Sequence, residues 1–174
     1  MDPVNAVDAL NLSWITEELA IGGCFDCDRV EELVRDHRVG AIIDLRNEAC
    51  DDEALLRRHG VHFLHLPTPD MHGSSCQMLD EGVAFAEAHI AAGRRVLTHC
   101  HFGIGRSATL VLCVLVARGL APIEALALAK ARRALVSPSP AQYEAWAGWL
   151  VAQRREVPPF EAFAQIAYSH LRQA

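Results

Sequence analysis

Within His99-Cys100-His101-Phe102-Gly103-Ile104-Gly105-Arg106-Ser107 the chain places a thiol, two imidazoles, two glycines and a guanidinium. A cysteine attacks as the thiolate, so its surroundings decide whether it is a nucleophile or filler in a core. A short apolar run, Arg95 to Thr98, leads into the segment, and a longer one, Leu110 to Ala117, leads out. The pattern reads as strand, tight loop, helix. Such a loop turns its backbone N–H groups inward at the positive end of a helix, which favours a bound anion and the thiolate of Cys100. Arg106 offers a planar fork of donors matched to two phosphate oxygens. The segment His101, Phe102, Gly103, Ile104 and Gly105, with Arg106, is therefore the candidate phosphate cradle. In a chain of this composition, that spacing of histidine, cysteine, two glycines and arginine arises by chance in roughly one case in ten thousand.

Cleaving a phosphate ester also requires a proton for the leaving oxygen and a base for water. Asp70 is the candidate for both: it lies 30 residues before Cys100, on a proline-bounded loop that follows a strand. Its bland alternative is a turn residue. Asp80 is the reserve, placed in or beside a helix. His99, at a strand end, reads as a buried orienting group, and Asp44 and Arg46 as residues that brace the loop from behind. Arg133 is most simply a surface helix residue. Ser139-Pro140-Ala141-Gln142 matches a helix capping box. Cys24 and Cys27 make half a zinc site with no second pair at ligand spacing, so no metal and no cofactor are expected. Cys50 is a weaker candidate for a protective disulfide with Cys100 on oxidation.

The elements that must hold these groups follow from apolar periodicity. Helices are predicted over 26–37, 51–59 and 77–92, and strands over 41–45, 61–66 and 95–99. Four more helices follow, over 106–118, 122–135, 139–154 and 159–171. Gly40, Gly60 and Gly93 are read as helix stops, and Pro67 and Pro69 as the break after the 61–66 strand. Strands alternating with helices, then helices alone, predict one α/β domain: a central mixed sheet of about four to five strands, flanked by helices, with a helical C-terminal half. The cysteine loop then lies beyond the carboxyl end of a central strand. Residues 1–12 are read as an N-terminal segment and 13–174 as the domain.

The cysteine loop resembles the signature of cysteine-dependent protein phosphatases, specifically the small dual-specificity branch. Trp14 to Gly23 resembles that family's opening hairpin, Ile42-Ile43-Asp44-Leu45-Arg46 its second core strand, and Leu66-Pro67-Thr68-Pro69-Asp70 the start of its general-acid loop. The resemblance implies a dual-specificity phosphatase-like fold. It also implies a catalytic set of Cys100 as nucleophile, Arg106 as phosphate clamp, Asp70 as general acid and Ser107 as hydrogen-bond partner of the sulfur. For Ser107, helix capping is the alternative. Gln142 resembles a glutamine that some relatives place near the attacking water, although its capping role is the stronger reading. His99 has a counterpart thought to fix the loop.

Net charge is −6 and the pI about 5.8, which argues against nucleic acid as a partner. The apolar runs are too short to span a bilayer, and the N-terminus lacks the features of a signal peptide, so no membrane insertion is expected and a cytoplasmic setting is. Six cysteines suit a reducing compartment. The expected partner is a phosphorylated protein, through phosphotyrosine and also phosphoserine or phosphothreonine. Alternatives are a phospholipid or phosphoinositide phosphatase, a rhodanese-like sulfurtransferase, or a non-catalytic phosphate-binding module.

Overall fold

Along Val39–Arg46 and Arg95–His99 nearly every side chain is buried, as in strands covered on both faces. The computed structural model describes residues 9–172. It arranges β1 (Leu12–Trp14), β2 (Leu19–Gly22), β3 (Val39–Arg46), β4 (His62–Thr68) and β5 (Arg95–His99) as one sheet in the order β1-β2-β5-β3-β4. Only β1 and β2 pair antiparallel; the other three pairings are parallel. β5 is the middle strand. Its last residue, His99, stands in register with Gly22 on one side and Asp44 on the other.

Alternation along these strands divides the core between two faces. Ala20, Ile42 and Leu97 point to the side covered by α1 (Val30–Arg35) and α2 (Glu53–Arg58). Ile21, Ile43 and Val96 point to the side covered by α3 (Cys76–Ala91), α4 (Arg106–Ala117), α5 (Pro122–Arg132), α6 (Pro140–Ala152) and α7 (Phe160–Ala167). Helix α4 is buried at every position from Arg106 to Val116, which is why its sequence is apolar all round. It lies against the sheet with α3, α5 and α6 around it. The functional loop is thus held between a central strand and a central helix.

Several boundaries differ from the sequence reading. The first helix is shorter: a 3-10 turn at Cys27–Arg29 precedes α1, and Arg38 reverses the chain at φ 54°. Gly40 is therefore no helix stop. It lies inside β3, where a Cβ would come within 3.1 Å of Arg94. Pro67 does not end its strand, because β4 is an edge strand and its register with β3 shifts between Asp44 and Arg46; a missing N–H is tolerated there. The helix expected over 122–135 ends at Arg132, and Arg133 turns to extended geometry (φ −142°, ψ 95°). The last helix closes at Ala167 and continues as a 3-10 turn, Ser169–Arg172. Its hold on the domain includes Lys130, whose ammonium donates to Val136 O (2.8 Å), Ala167 O (2.7 Å) and His170 Nδ1 (2.7 Å). The hairpin begins at Leu12, earlier than expected; residues 1–8 of the expected N-terminal segment lie outside the described residues, as do 173–174. No helix among the described residues is long and apolar enough to cross a membrane.

Candidate active site

Cys100 follows the last residue of β5, and Arg106 is the first residue of α4, so residues 101–105 must close the gap between strand and helix. Gly103 makes the closure possible. It sits at φ 70°, and a Cβ there would come within 2.6 Å of the Gly22 carbonyl and 2.7 Å of Arg133 Nη2. Cys100 is buried, with 3% of its surface exposed. Burial alone would raise its pKa. The hydrogen bond with Ser107 Oγ (3.3 Å), together with the backbone N–H groups of Ser107, Gly103 and Ile104, outweighs that and lowers it. A thiolate stabilised by converging amides is the arrangement that a phosphate dianion would also use. Ser107 lies in the first turn of α4, and the N-cap position belongs to Gly105. Its hydroxyl therefore serves the sulfur, not the helix end.

Arg106 is fixed by a residue the sequence reading did not single out. Glu48, just beyond β3, takes both ends of the guanidinium: Nη1 donates to Oε2 (2.7 Å) and Nη2 to Oε1 (2.8 Å). Nη1 also donates to Thr68 O (2.9 Å). The Glu48 carboxyl is held down at about 2, chiefly by the Arg106 hydrogen bonds. The Nε–H is buried with no partner among the described residues, so the Nε/Nη2 edge is the side with a donor to spare. The signal for Glu48 was an acid at the carboxyl end of a parallel strand, beside Arg46, which the strand pattern alone did not tie to Arg106.

Asp70 stands over the same guanidinium, Oδ1 3.5 Å from Arg106 Nη2, with 64% of its side chain exposed. With Met71, Phe102, Arg106 and Gln142 it lines a cavity of about 190 Å³ that has Cys100 in its wall. The reserve candidate, Asp80, is elsewhere: it accepts from Trp149 Nε1 (2.8 Å) and Gln153 Nε2 (3.0 Å), tying α3 to α6. Gln142 takes the capping role and also abuts the loop. Its Oε1 accepts from Ser139 N (2.8 Å) in a capping box, and its side chain packs so closely on Gly105 that a Cβ there would lie 2.3 Å from Oε1. His101 and Phe102 point outward, their rings edge to face.

Behind the loop is a buried polar cluster. The His99 ring meets Asp51 Oδ2 through Nε2 (2.7 Å) and Cys100 O through Nδ1 (3.3 Å). Asp51 is held by Arg46 Nη2 (2.8 Å), which also donates to Asp44 (2.9 Å). Asp44 and Arg46 thus reach the loop through Asp51 and His99; Asp51 was the link missing from the sequence reading. Arg133 is a correction. It is buried rather than a surface residue, because the chain turns at that position and aims it under the loop. Its Nε donates to Gly103 O (2.7 Å), its Nη2 to Phe102 O (2.9 Å) and Asn11 Oδ1 (2.7 Å), and its Nη1 to Ser13 Oγ (3.1 Å). All four partners are neutral, so among the described residues this cation beneath the cradle has no carboxylate in contact. Cys50, by contrast, is exposed with Sγ turned to Asp51 O (3.5 Å), and burial together with Asp44 and Asp51 raises its pKa. It is not poised as a thiolate.

Comparison with known proteins follows the same outline. A family model described as "Polymorphic toxin system, DSP-PTPase phosphatase" matches residues 27–120, more than half the chain. The mouse "Phosphatidylglycerophosphatase and protein-tyrosine phosphatase 1" is 34% identical over 119 residues, covering 64% of this chain and 62% of that one. The chain thus spans somewhat under two thirds of that curated relative. Among solved structures, PTPMT1 in complex with PI(5)P matches with a TM-score of 0.73 at 27% identity, over 80% of this chain and 96% of that one. Tk-PTP in the active form matches with a TM-score of 0.74 at 27% identity, over 80% and 95%.

Proposed function

The chain belongs to the DSP-PTPase phosphatase family, and from that premise we propose that it hydrolyses phosphomonoesters through a phosphocysteine, with phosphorylated proteins as substrates. The observation that carries this is the thiolate site itself. Cys100 Sγ receives Ser107 Oγ and three backbone N–H groups, and the buried Nε–H of Arg106 beside it has no partner.

The phosphate dianion binds in the loop from His101 to Gly105, on the Nε/Nη2 edge of Arg106. Cys100 Sγ attacks phosphorus in line; the bond to the ester oxygen breaks, and Asp70 gives that oxygen its proton. Asp70, now a carboxylate, takes a proton from water as the water attacks phosphorus. The S–P bond then breaks, with the Ser107 hydroxyl stabilising the departing thiolate. Charge on the phosphoryl oxygens meets amides and a guanidinium already in place, which is where most of the acceleration arises. Glu48 holds Arg106 in register throughout. The positive charge comes from Arg106, with Arg133 beneath, so the steps need no metal.

A second reading keeps the same chemistry on a phospholipid. Met71 and Phe102, 62% and 59% exposed, flank the cavity mouth as apolar walls, and the mouse relative is named for a lipid phosphate as well as for protein tyrosine. The sulfurtransferase alternative loses its support with the family match. The setting we propose is a reducing cytoplasm, consistent with six free cysteines among the described residues.

The first test is release of p-nitrophenol from p-nitrophenyl phosphate in EDTA, comparing wild type with Cys100→Ser. Turnover by the wild type alone supports the reading; a silent, fully reduced wild type that still binds phosphate overturns it in favour of a binding module. Phosphate release from phosphopeptides against phosphatidylglycerophosphate vesicles then separates the two substrate classes.

A further inference from the structure

Asp70 is the most weakly held member of the set. Its carboxylate touches only its own loop, accepting from Met71 N (3.0 Å), and Arg106 at 3.5 Å. An acid so exposed is positioned by its backbone or not at all. The backbone of residues 69–75 is anchored on α6. Met71 sits at φ 63° with its side chain in solvent, so its carbonyl is what is held: Ser139 Oγ donates to Met71 O at 2.7 Å. The same hydroxyl oxygen accepts from Gln142 N (3.2 Å), so its single proton is committed to the loop and its lone pair to the helix. Two residues on, Gly73 lies flush against α6. A Cβ there would fall 2.4 Å from Ala145 Cβ and 2.9 Å from Ala141 O. At the loop's base, the Thr68 and Ser74 hydroxyls share a hydrogen bond of 2.7 Å.

We infer that Ser139 and Gly73 are positioning residues for the general acid: they dock the Asp70 loop on α6 and hold the carboxyl over the cradle in the free protein. The inference rests on the reading of Asp70 as the proton donor. Its signature is specific, because misplacing the acid harms only reactions whose leaving oxygen needs the proton.

The test is kcat/KM for phenyl phosphate, a poor leaving group, against 2,4-dinitrophenyl phosphate, a good one. Asp70→Asn sets the scale: about 100-fold lost on the first and under about 5-fold on the second. Ser139→Asp keeps an N-cap acceptor but has no proton to give Met71 O, whereas Ser139→Asn keeps both acceptor and donor. The expected result is about a tenfold loss for Ser139→Asp on phenyl phosphate, under about twofold on the dinitrophenyl ester, and recovery in Ser139→Asn. Gly73→Ala repeats the split without touching the helix cap. Circular dichroism melts establish that each variant is folded; should Gly73→Ala fail to fold, the Asp/Asn pair at position 139 decides. If Asp70→Asn splits the two substrates but folded Ser139→Asp does not, the positioning role is overturned while the acid stands. If Asp70→Asn affects both substrates equally, the acid reading falls and takes the positioning role with it.

Discussion

At the scale of single residues, Glu48 decides which edge of Arg106 faces a substrate. By occupying both Nη atoms it leaves the buried Nε–H without a partner. Glu48→Gln keeps the shape and removes the charge, and is expected to lower kcat/KM about 10- to 100-fold, the worth of a charge-assisted pair. Steady-state kinetics on p-nitrophenyl phosphate checks this. Glu48 titrates at about 2, so its hold on Arg106 persists across the neutral range and weakens only as pH falls toward that value. Cys100 is the complementary case. Its pKa is lowered, with Ser107 Oγ first among the groups that overcome burial, so Ser107→Ala should move the pH midpoint of Cys100 alkylation by iodoacetamide upward. An unmoved midpoint would assign the effect to the backbone amides alone. The cysteine, arginine and serine were legible because one short segment carries them all. Glu48, Asp51 and Arg133 were not, since each acts across a gap in sequence that only the β3–β5 pairing and the end of α5 close.

At the scale of elements, Arg133 shows how a helix end supports a loop. Sequence periodicity extended α5 past Arg132 and so placed the side chain outside; the chain in fact turns extended at that residue and drives it under Gly103 and Phe102. Arg133→Met removes four hydrogen bonds to neutral partners. It should cost about 2–4 kcal/mol of stability and raise the Cys100 pKa, since the buried cation favours the thiolate. Urea unfolding and the same alkylation midpoint read the two effects separately. The strands were legible because parallel strands buried on both faces are continuous apolar runs. Gly40 and Pro67 misled because a glycine also serves close packing on Arg94, and a proline is harmless on an edge strand at a register shift.

Across the whole molecule, charge and shape at the cradle point the same way. Net charge is −6, and the groups around the cavity mouth are Asp70, Glu48, Asn47, His101 and the apolar Met71 and Phe102, with no lysine among them. Esters with one phosphate should therefore be preferred over polyphosphorylated inositol headgroups by about tenfold or more in kcat/KM, since each extra dianion meets carboxylates. Phosphate release from phosphatidylinositol monophosphate and trisphosphate in matched micelles measures it. A mixed central sheet with the site at the carboxyl end of a central strand was foreseeable from the alternation of strands and helices; the strand order was not. The docking of the helical half was not, because its contacts join residues far apart in the chain. One of those contacts also gives the protein a chemical reporter. Lys130 is the chain's single lysine, and all three of its ammonium protons are engaged where α5 meets the segment after α7. Acylation of that amine by a succinimidyl ester, located by peptide mass spectrometry so that it is separated from the N-terminal amine, therefore counts the moments when the C-terminal segment lets go, with no residue substituted and no cysteine disturbed.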